Sequence, residues 1–244
     1  MKRLRLLLAL VTLPAIICAA PLRILYLGDS ITDGGWGNSG GRATPSEARN
    51  HSDFNHIFGH SYMMISAATL MAEKPGEYEC FNRGVSGYTL SDLEATWQQN
   101  CMEMKPDVLS VLIGTNDVEQ FLGSGAKDFD LKDWERRYDS LLTETRRQFP
   151  NVRIMLCTPF VAKVGWRGDA ENYALREHLA DKLAEITVRL ATKHNATLVP
   201  FAKMFGSLTT PSKQYWIWDG IHPTPAAHKR MADLWLQCFY SKSL

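Results

Sequence analysis

Separated blocks of this 244-residue chain carry side chains able to attack a carbonyl carbon and to move the proton that such an attack releases. In "LYLGDSITDGGWG", residues 25–37, an apolar run stops at Gly28 and Ser30 follows between Asp29 and Asp33. A serine hydroxyl is a useful nucleophile only when a base takes its proton and a third group orients that base. Far along the chain, "WDGIHPTPAAH" offers both. Asp219 and His222 lie three apart, Gly220 permits a tight turn, and Pro223 keeps a helix from starting before Thr224. This spacing lets the Asp219 carboxylate reach one imidazole nitrogen of His222 and leaves the other for Ser30. Singly, each signal is weak, since serine is a preferred helix cap and Asp-x-x-His also describes a plain loop hydrogen bond.

Two more blocks suit anion stabilisation. "NRGVSG" contains Gly84, whose missing side chain would let its N–H approach a substrate oxygen. "IGTND" contains Asn116, whose amide would donate a second hydrogen bond. With the N–H of Ser30 they form an expected three-donor oxyanion hole, a feature whose loss costs about 10² to 10³ in rate per donor. Alone, Gly84 and Asn116 are ordinary turn formers. In the order Ser, Gly, Asn, Asp-x-x-His, the blocks "GDSIT", "NRGVSG", "GTND" and "DGIHPT" resemble those of the SGNH hydrolases, the GDSL-type esterases and lipases. The resemblance runs from about Arg23 to the last helix, with Ile31 where the family name has Leu. It implies a carboxylic ester hydrolase acting through an acyl-enzyme, with Ser30 as nucleophile, His222 as general base and Asp219 orienting the imidazole. It also implies an oxyanion hole of Ser30 N–H, Gly84 N–H and Asn116, a flavodoxin-like fold, and no metal or organic cofactor.

The elements that would position these residues alternate along the chain. "RILYLG", "YECFNRG", "DVLSVLIG", "VRIMLC" and "TLVPF" read as strands. "GHSYMMISAATLMAE", "TLSDLEATWQQNCMEM", "LKDWERRYDSLLTETRRQF", "DAENYALREHLADKLAEITVRLATKH" and "PAAHKRMADLWLQCFY" read as helices. Continuously apolar strands alternating with helices predict a mostly parallel sheet of about five strands in a three-layer α/β/α domain. Ligands of such sheets bind beyond the carboxyl ends of the strands, where Ser30, Gly84 and Asn116 are expected. The insertion from Gly34 to Phe58 is too long for a simple connection. It is polar with occasional aromatics, and it is expected to wall the substrate pocket.

Lys2, Arg3 and Arg5, the apolar run Leu6–Ile17 and the small residues Cys18, Ala19 and Ala20 have the pattern of a secretory signal. The expected organisation is therefore a signal over residues 1–20 and one hydrolase domain over 21–244, exported to the periplasm or the extracellular space. A net charge of +1 without a clustered basic run argues against nucleic acid or an anionic membrane surface as partner. Cys80, Cys101, Cys157 and Cys238 are too widely spaced for a short Cys-x-x-Cys metal or redox unit, and Cys80 and Cys157 read as inert buried thiols. Pairing among the four is left open.

Other readings compete. Asp29, Asp33, Asn116, Asp117, Asp219 and His222 could form a metallophosphoesterase cluster, although such sites usually recruit several histidines. Trp36, Trp166, Trp216 and Trp218 could serve a noncatalytic sugar-binding module or simply pack loops. No G-x-x-x-x-G-K-[ST] occurs, so phosphate-loop chemistry is excluded. Within the esterases, a lipase, lysophospholipase or thioesterase needs an apolar groove. The polar insertion instead favours an acylated glycan or small molecule, foremost an acetylated carbohydrate. His51, His56 and His60 are loop histidines, and Asn50 and Asn195 fit the glycosylation acceptor pattern.

Overall fold

A computed structural model of the chain describes residues 20–35 and 60–241. The strands are β1 (Leu22–Gly28), β2 (Tyr78–Gly84), β3 (Val108–Leu112), β4 (Arg153–Cys157) and β5 (Thr197–Val199). The helices are α1 (Ser30–Asp33), α2 (Tyr62–Glu73), α3 (Leu90–Trp97), α4 (Thr115–Ser124), α5 (Leu131–Gln148), α6 (Gly165–Gly168), α7 (Tyr173–Lys193), α8 (Phe201–Ser207), α9 (Lys213–Trp216) and α10 (Pro225–Tyr240).

All strand pairs are parallel, in the order β2-β1-β3-β4-β5. Successive side chains of a strand face opposite sides, so β1 contributes Ile24 and Tyr26 to one core and Leu25 and Leu27 to the other. Burial on both faces is why these strands read as unbroken apolar runs. The first core lies under α2 and α10, and the second under α3, α5 and α7. The result is the expected three-layer α/β/α arrangement.

Trp235 of α10 anchors the first layer. It is fully buried, stacks on Phe239 with centroids 5.2 Å apart, and donates its indole N–H to Ser110 Oγ of β3 at 2.9 Å. That bond removes the desolvation cost that an unpaired buried N–H would carry. Asp130 caps α5 and Thr224 caps α10, where Pro225 takes the first helical position, which needs no donor.

The order of strands reverses direction between β1 and β3, and that is where a crevice opens beyond the strand ends. Gly28 stands in register with Gly84 of β2 and Leu112 of β3. The segments that follow these three strands therefore leave the sheet at one level and converge at one place.

Two local features differ from the sequence-based expectation. The stretch after β3, which is not among the helices read from the sequence, forms α4, with Val118 buried and Phe121 and Leu122 packed against the second core. The run from Thr89 to Met104 is not one α-helix but α3 followed by a π-helical turn, Gln98–Met102, which buries Asn100, Cys101 and Met102.

Candidate active site

Ser30 opens α1 directly beyond β1. Its preceding residue Asp29 caps that helix through Oδ1, which accepts the Ile31 N–H at 2.9 Å. The sharp exit is possible because Gly28 adopts a φ of 157°, and a Cβ there would meet the Leu112 carbonyl at 2.6 Å. The other end of α1 is tied to β2 by Asn82. Its amide donates to the carbonyls of Thr32 at 3.3 Å and Asp33 at 3.2 Å, while its Oδ1 accepts the N–H of Gly84 at 3.0 Å.

Asp219 and His222 come from the loop between α9 and α10. An antiparallel bridge between Ile217 and Pro223 pinches this loop, the Trp218 N–H bonds the His222 carbonyl, and Gly220 turns the chain at φ 104°. Asp219 Oδ1 accepts the backbone N–H groups of Ile221 and His222 at 3.1 and 2.8 Å, which fixes the carboxylate plane. Its Oδ2 lies 2.7 Å from His222 Nδ1, and His222 Nε2 lies 2.9 Å from Ser30 Oγ. Hydroxyl, imidazole and carboxylate thus stand in hydrogen-bonded sequence, although Ser30 and His222 are 192 positions apart. Burial alone would raise the Asp219 carboxyl. The hydrogen bonds from His222 and Ile221, with the charge of His222, outweigh it and hold the group below the usual carboxylate range.

Asn116, the second residue of α4, has its amide Nδ2 bound to the Tyr88 carbonyl at 3.1 Å, which immobilises the side chain and leaves a second amide hydrogen to donate. The backbone N–H of Ser30 makes no hydrogen bond among the described residues. Gly84 corrects the sequence reading. Its N–H goes to Asn82, and it is buried under α1, where a Cβ would sit 2.5 Å from Asp33 N. The glycine is needed for close approach of β2 to α1, not to present a donor. Gly87, three residues on, sits at the exposed tip of the Val85–Tyr88 turn with φ 86° and open space around its Cα.

Asp29, Asp33 and Asp117 lie behind this row and each has its own protein partner. Asp33 Oδ2 accepts the Ser86 hydroxyl at 3.2 Å, and Asp117 takes the Leu90 N–H at 3.1 Å and the Trp134 indole at 2.9 Å. Burial pushes Asp29 up to about 7 and Asp117 to about 6. Among the described residues no three His, Cys, Asp or Glu side chains are arranged to hold a metal ion. Behind His222, His228 Nδ1 accepts the Tyr62 N–H at 3.1 Å, and burial pushes this imidazole down to about 4, so it stays neutral.

Sequence reasoning missed Asn82 and also Arg167. Arg167 Nη1 lies 2.7 Å from Asp219 Oδ2, and its Nε lies 3.0 Å from Glu119, which in turn pairs with Arg176 at 2.5 Å. No local pattern links Arg167 to a carboxylate 52 positions away. Of the tryptophans, Trp216 is buried, whereas Trp218 (57% exposed) stands parallel to the His222 ring and Trp166 (62% exposed) covers Arg167. His60 is exposed beside Gly35, and Asn195 is exposed at the end of α7. Trp36, Asn50, His51, His56 and nearly all of the Gly34–Phe58 insertion lie outside the described residues. Cys80, Cys101, Cys157 and Cys238 are free thiols, the first two pushed up to about 12 by burial.

A doubly wound parallel sheet with a serine, an imidazole and a carboxylate hydrogen-bonded at its carboxyl edge defines a serine hydrolase of the three-layer type. More narrowly, the chain belongs to the GDSL-like lipase/acylhydrolase family, which matches residues 26–230, and is a carboxylic ester hydrolase. It is 30% identical over 223 residues to an acetylxylan esterase of Geobacillus stearothermophilus, covering 88% of this chain and 92% of that one. The solved structure of an acetylxylan esterase from the same organism superposes with a TM-score of 0.74 at 27% identity, over 92% of this chain and 98% of the other. A protein of Parabacteroides merdae described as a GDSL-like lipase gives a TM-score of 0.76 at 30% identity, over 89% and 94% of the two chains.

Proposed function

We propose that the chain is an exported acetylesterase that removes acetyl groups from a carbohydrate of the xylan type, with Ser30 as its nucleophile. The observation that carries this reading is the continuous hydrogen-bonded row Ser30 Oγ, His222 Nε2, His222 Nδ1, Asp219 Oδ2. As Ser30 Oγ bonds to the ester carbonyl carbon, its proton passes to His222 Nε2 and the carbonyl oxygen takes the negative charge. The imidazolium then protonates the departing sugar alkoxide. Water enters by the same base, and acetate leaves with Ser30 restored.

Ser30 N–H and the remaining amide hydrogen of Asn116 are assigned to the oxyanion, with Gly87 N–H as the third donor where the sequence suggested Gly84. Hydrogen bonds aimed at the charge that develops in the transition state accelerate the chemical step more than contacts that are equal throughout. The acetylxylan esterase relationship supports the sugar substrate, and the polar composition of residues 34–58 agrees with it. Export and a single domain over 21–244 rest on the signal pattern of residues 1–20, of which 1–19 lie outside the described residues. Among the described residues no helix is long and apolar enough to cross a membrane.

The test is a panel of p-nitrophenyl esters from acetyl to octanoyl run beside acetylated xylo-oligosaccharides. The reading expects kcat/KM to fall as the acyl chain lengthens and acetate to be released from the oligosaccharides. Preference for octanoyl, with no acetate from the sugar, would assign the enzyme to lipid esters.

A further inference from the structure

Asp219 Oδ2 carries two partners, because the atom that holds His222 Nδ1 at 2.7 Å also holds Arg167 Nη1 at 2.7 Å. The guanidinium is built into place. Gly165 starts α6 at φ 60°, and a Cβ there would meet Asp219 Cα and the Trp218 carbonyl at 2.8 Å. Gly220 answers from the other side, where a Cβ would lie 2.8 Å from Arg167 Cβ, and the Ala162 N–H bonds the Gly220 carbonyl at 2.8 Å. The two segments are therefore packed backbone to backbone. Trp166 covers the guanidinium, with Arg167 Cζ 3.8 Å from its ring centroid, and reduces its access to water.

Resting on the triad reading above, we propose that Arg167 is a positioning residue for the esterase reaction: it shares the Asp219 oxygen that orients His222 and so sets the pH range in which His222 works as a base. Its reach extends inward through Glu119 to Arg176, which is almost fully buried. Arg176, Glu119, Arg167 and Asp219 alternate in sign and sum to zero charge. Removing Arg167 leaves His222 facing one net negative charge more, which favours the protonated imidazole. Removing the charge of Glu119 leaves one net positive charge more, which disfavours it. Among the described residues, Ser30 Oγ contacts His222 Nε2 and the His228 imidazole of α10 interacts with the His222 ring, and neither is altered by either change.

The test is the pH profile of kcat/KM for p-nitrophenyl acetate in wild type, Arg167→Met, Arg167→Lys and Glu119→Gln, with Ser30→Ala as control. The acid limb should move up by about half to one and a half pH units in Arg167→Met and down by a similar amount in Glu119→Gln. It should stay within about half a unit of wild type in Arg167→Lys, which keeps the charge but not the planar fork. KM for this small ester should change less than twofold, while kcat on the plateau falls roughly tenfold in Arg167→Met because the Asp219 carboxylate loses one anchor. A merely structural role cannot move the limb in opposite directions. Coincident limbs, or a shift of one sign in both variants, would overturn the proposal. If Arg167→Met does not fold, an unmoved limb in Glu119→Gln overturns it alone. Full activity in Ser30→Ala would instead refute the triad reading on which it stands.

Discussion

Asp29 directly precedes Ser30, the proposed nucleophile, and shows how one residue can serve placement at a cost in stability. Its carboxylate caps α1, yet it is almost fully buried, and burial, with the charges of Asp117 and Asp33, pushes it up to about 7 despite the Ile31 N–H. The folded protein holds this proton until about pH 7, whereas the unfolded chain releases it near 3.8. Unfolding therefore releases a proton throughout that window, and stability falls as pH rises through it. His228 has the opposite slope. The unfolded imidazole takes up a proton below about 6.5 and the folded one only near 4, so stability is lost as pH falls between those values. Asp29→Asn keeps the cap and removes the charge. Its gain over wild type should grow by about 1.4 kcal/mol per pH unit from pH 4 to 7 and then level off. His228→Gln should gain over wild type only as pH falls below about 6.5. Urea midpoints at several pH values measure both, and curves parallel to wild type would refute them. The joining of Ser30, His222 and Asp219 in one hydrogen-bonded row was legible in the sequence because side-chain chemistry and block order are local properties. Arg167 and Asn82 were not, because each acts on a group whose nearness is created by the fold.

At the scale of elements, the two glycines of "NRGVSG" differ in what surrounds them. β2 continues through Gly84, whose missing side chain lets α1 lie against the strand, whereas Gly87 turns the chain in solvent. A Cβ at position 84 meets backbone, the Asp33 N at 2.5 Å, and neither element can yield without moving Ser30. Gly84→Ala should therefore cost about 2–4 kcal/mol and most of the activity. Gly87→Ala meets nothing within 4 Å and should cost only about 1 kcal/mol for its positive φ. Thermal unfolding of the pair checks this, and equal losses would contradict the packing described here. The choice between these glycines was hidden in the sequence because it depends on where β2 stops. The same holds for α4. Asp117, Val118, Phe121 and Leu122 have helical spacing, but the stretch is short and bounded by glycines, so its pattern is weak until the second core gives it a surface to cover. The five strands and the long helices were legible because their apolar patterns run for whole elements.

For the whole molecule, the fold class followed from alternation of buried strands with helices, and the site from where such a sheet opens. Gly28, Gly84 and Leu112 end at one level, so α1, the Val85–Tyr88 turn and α4 leave the sheet side by side, while the loop before α10 brings Asp219 and His222 over them. No single element contains the machinery, and the order of strands assembles it. Ser30 Oγ is the proposed point of acylation, and every other role assigned in the site depends on it. Acetate release from acetylated xylo-oligosaccharides, followed for wild type and Ser30→Ala with equal thermal stability verified, tests this most directly. The account predicts that wild type turns over and that Ser30→Ala is slower by roughly 10³-fold or more, the residue being part of a unit that fails when one member is removed. Turnover by a stably folded Ser30→Ala within tenfold of wild type would contradict it.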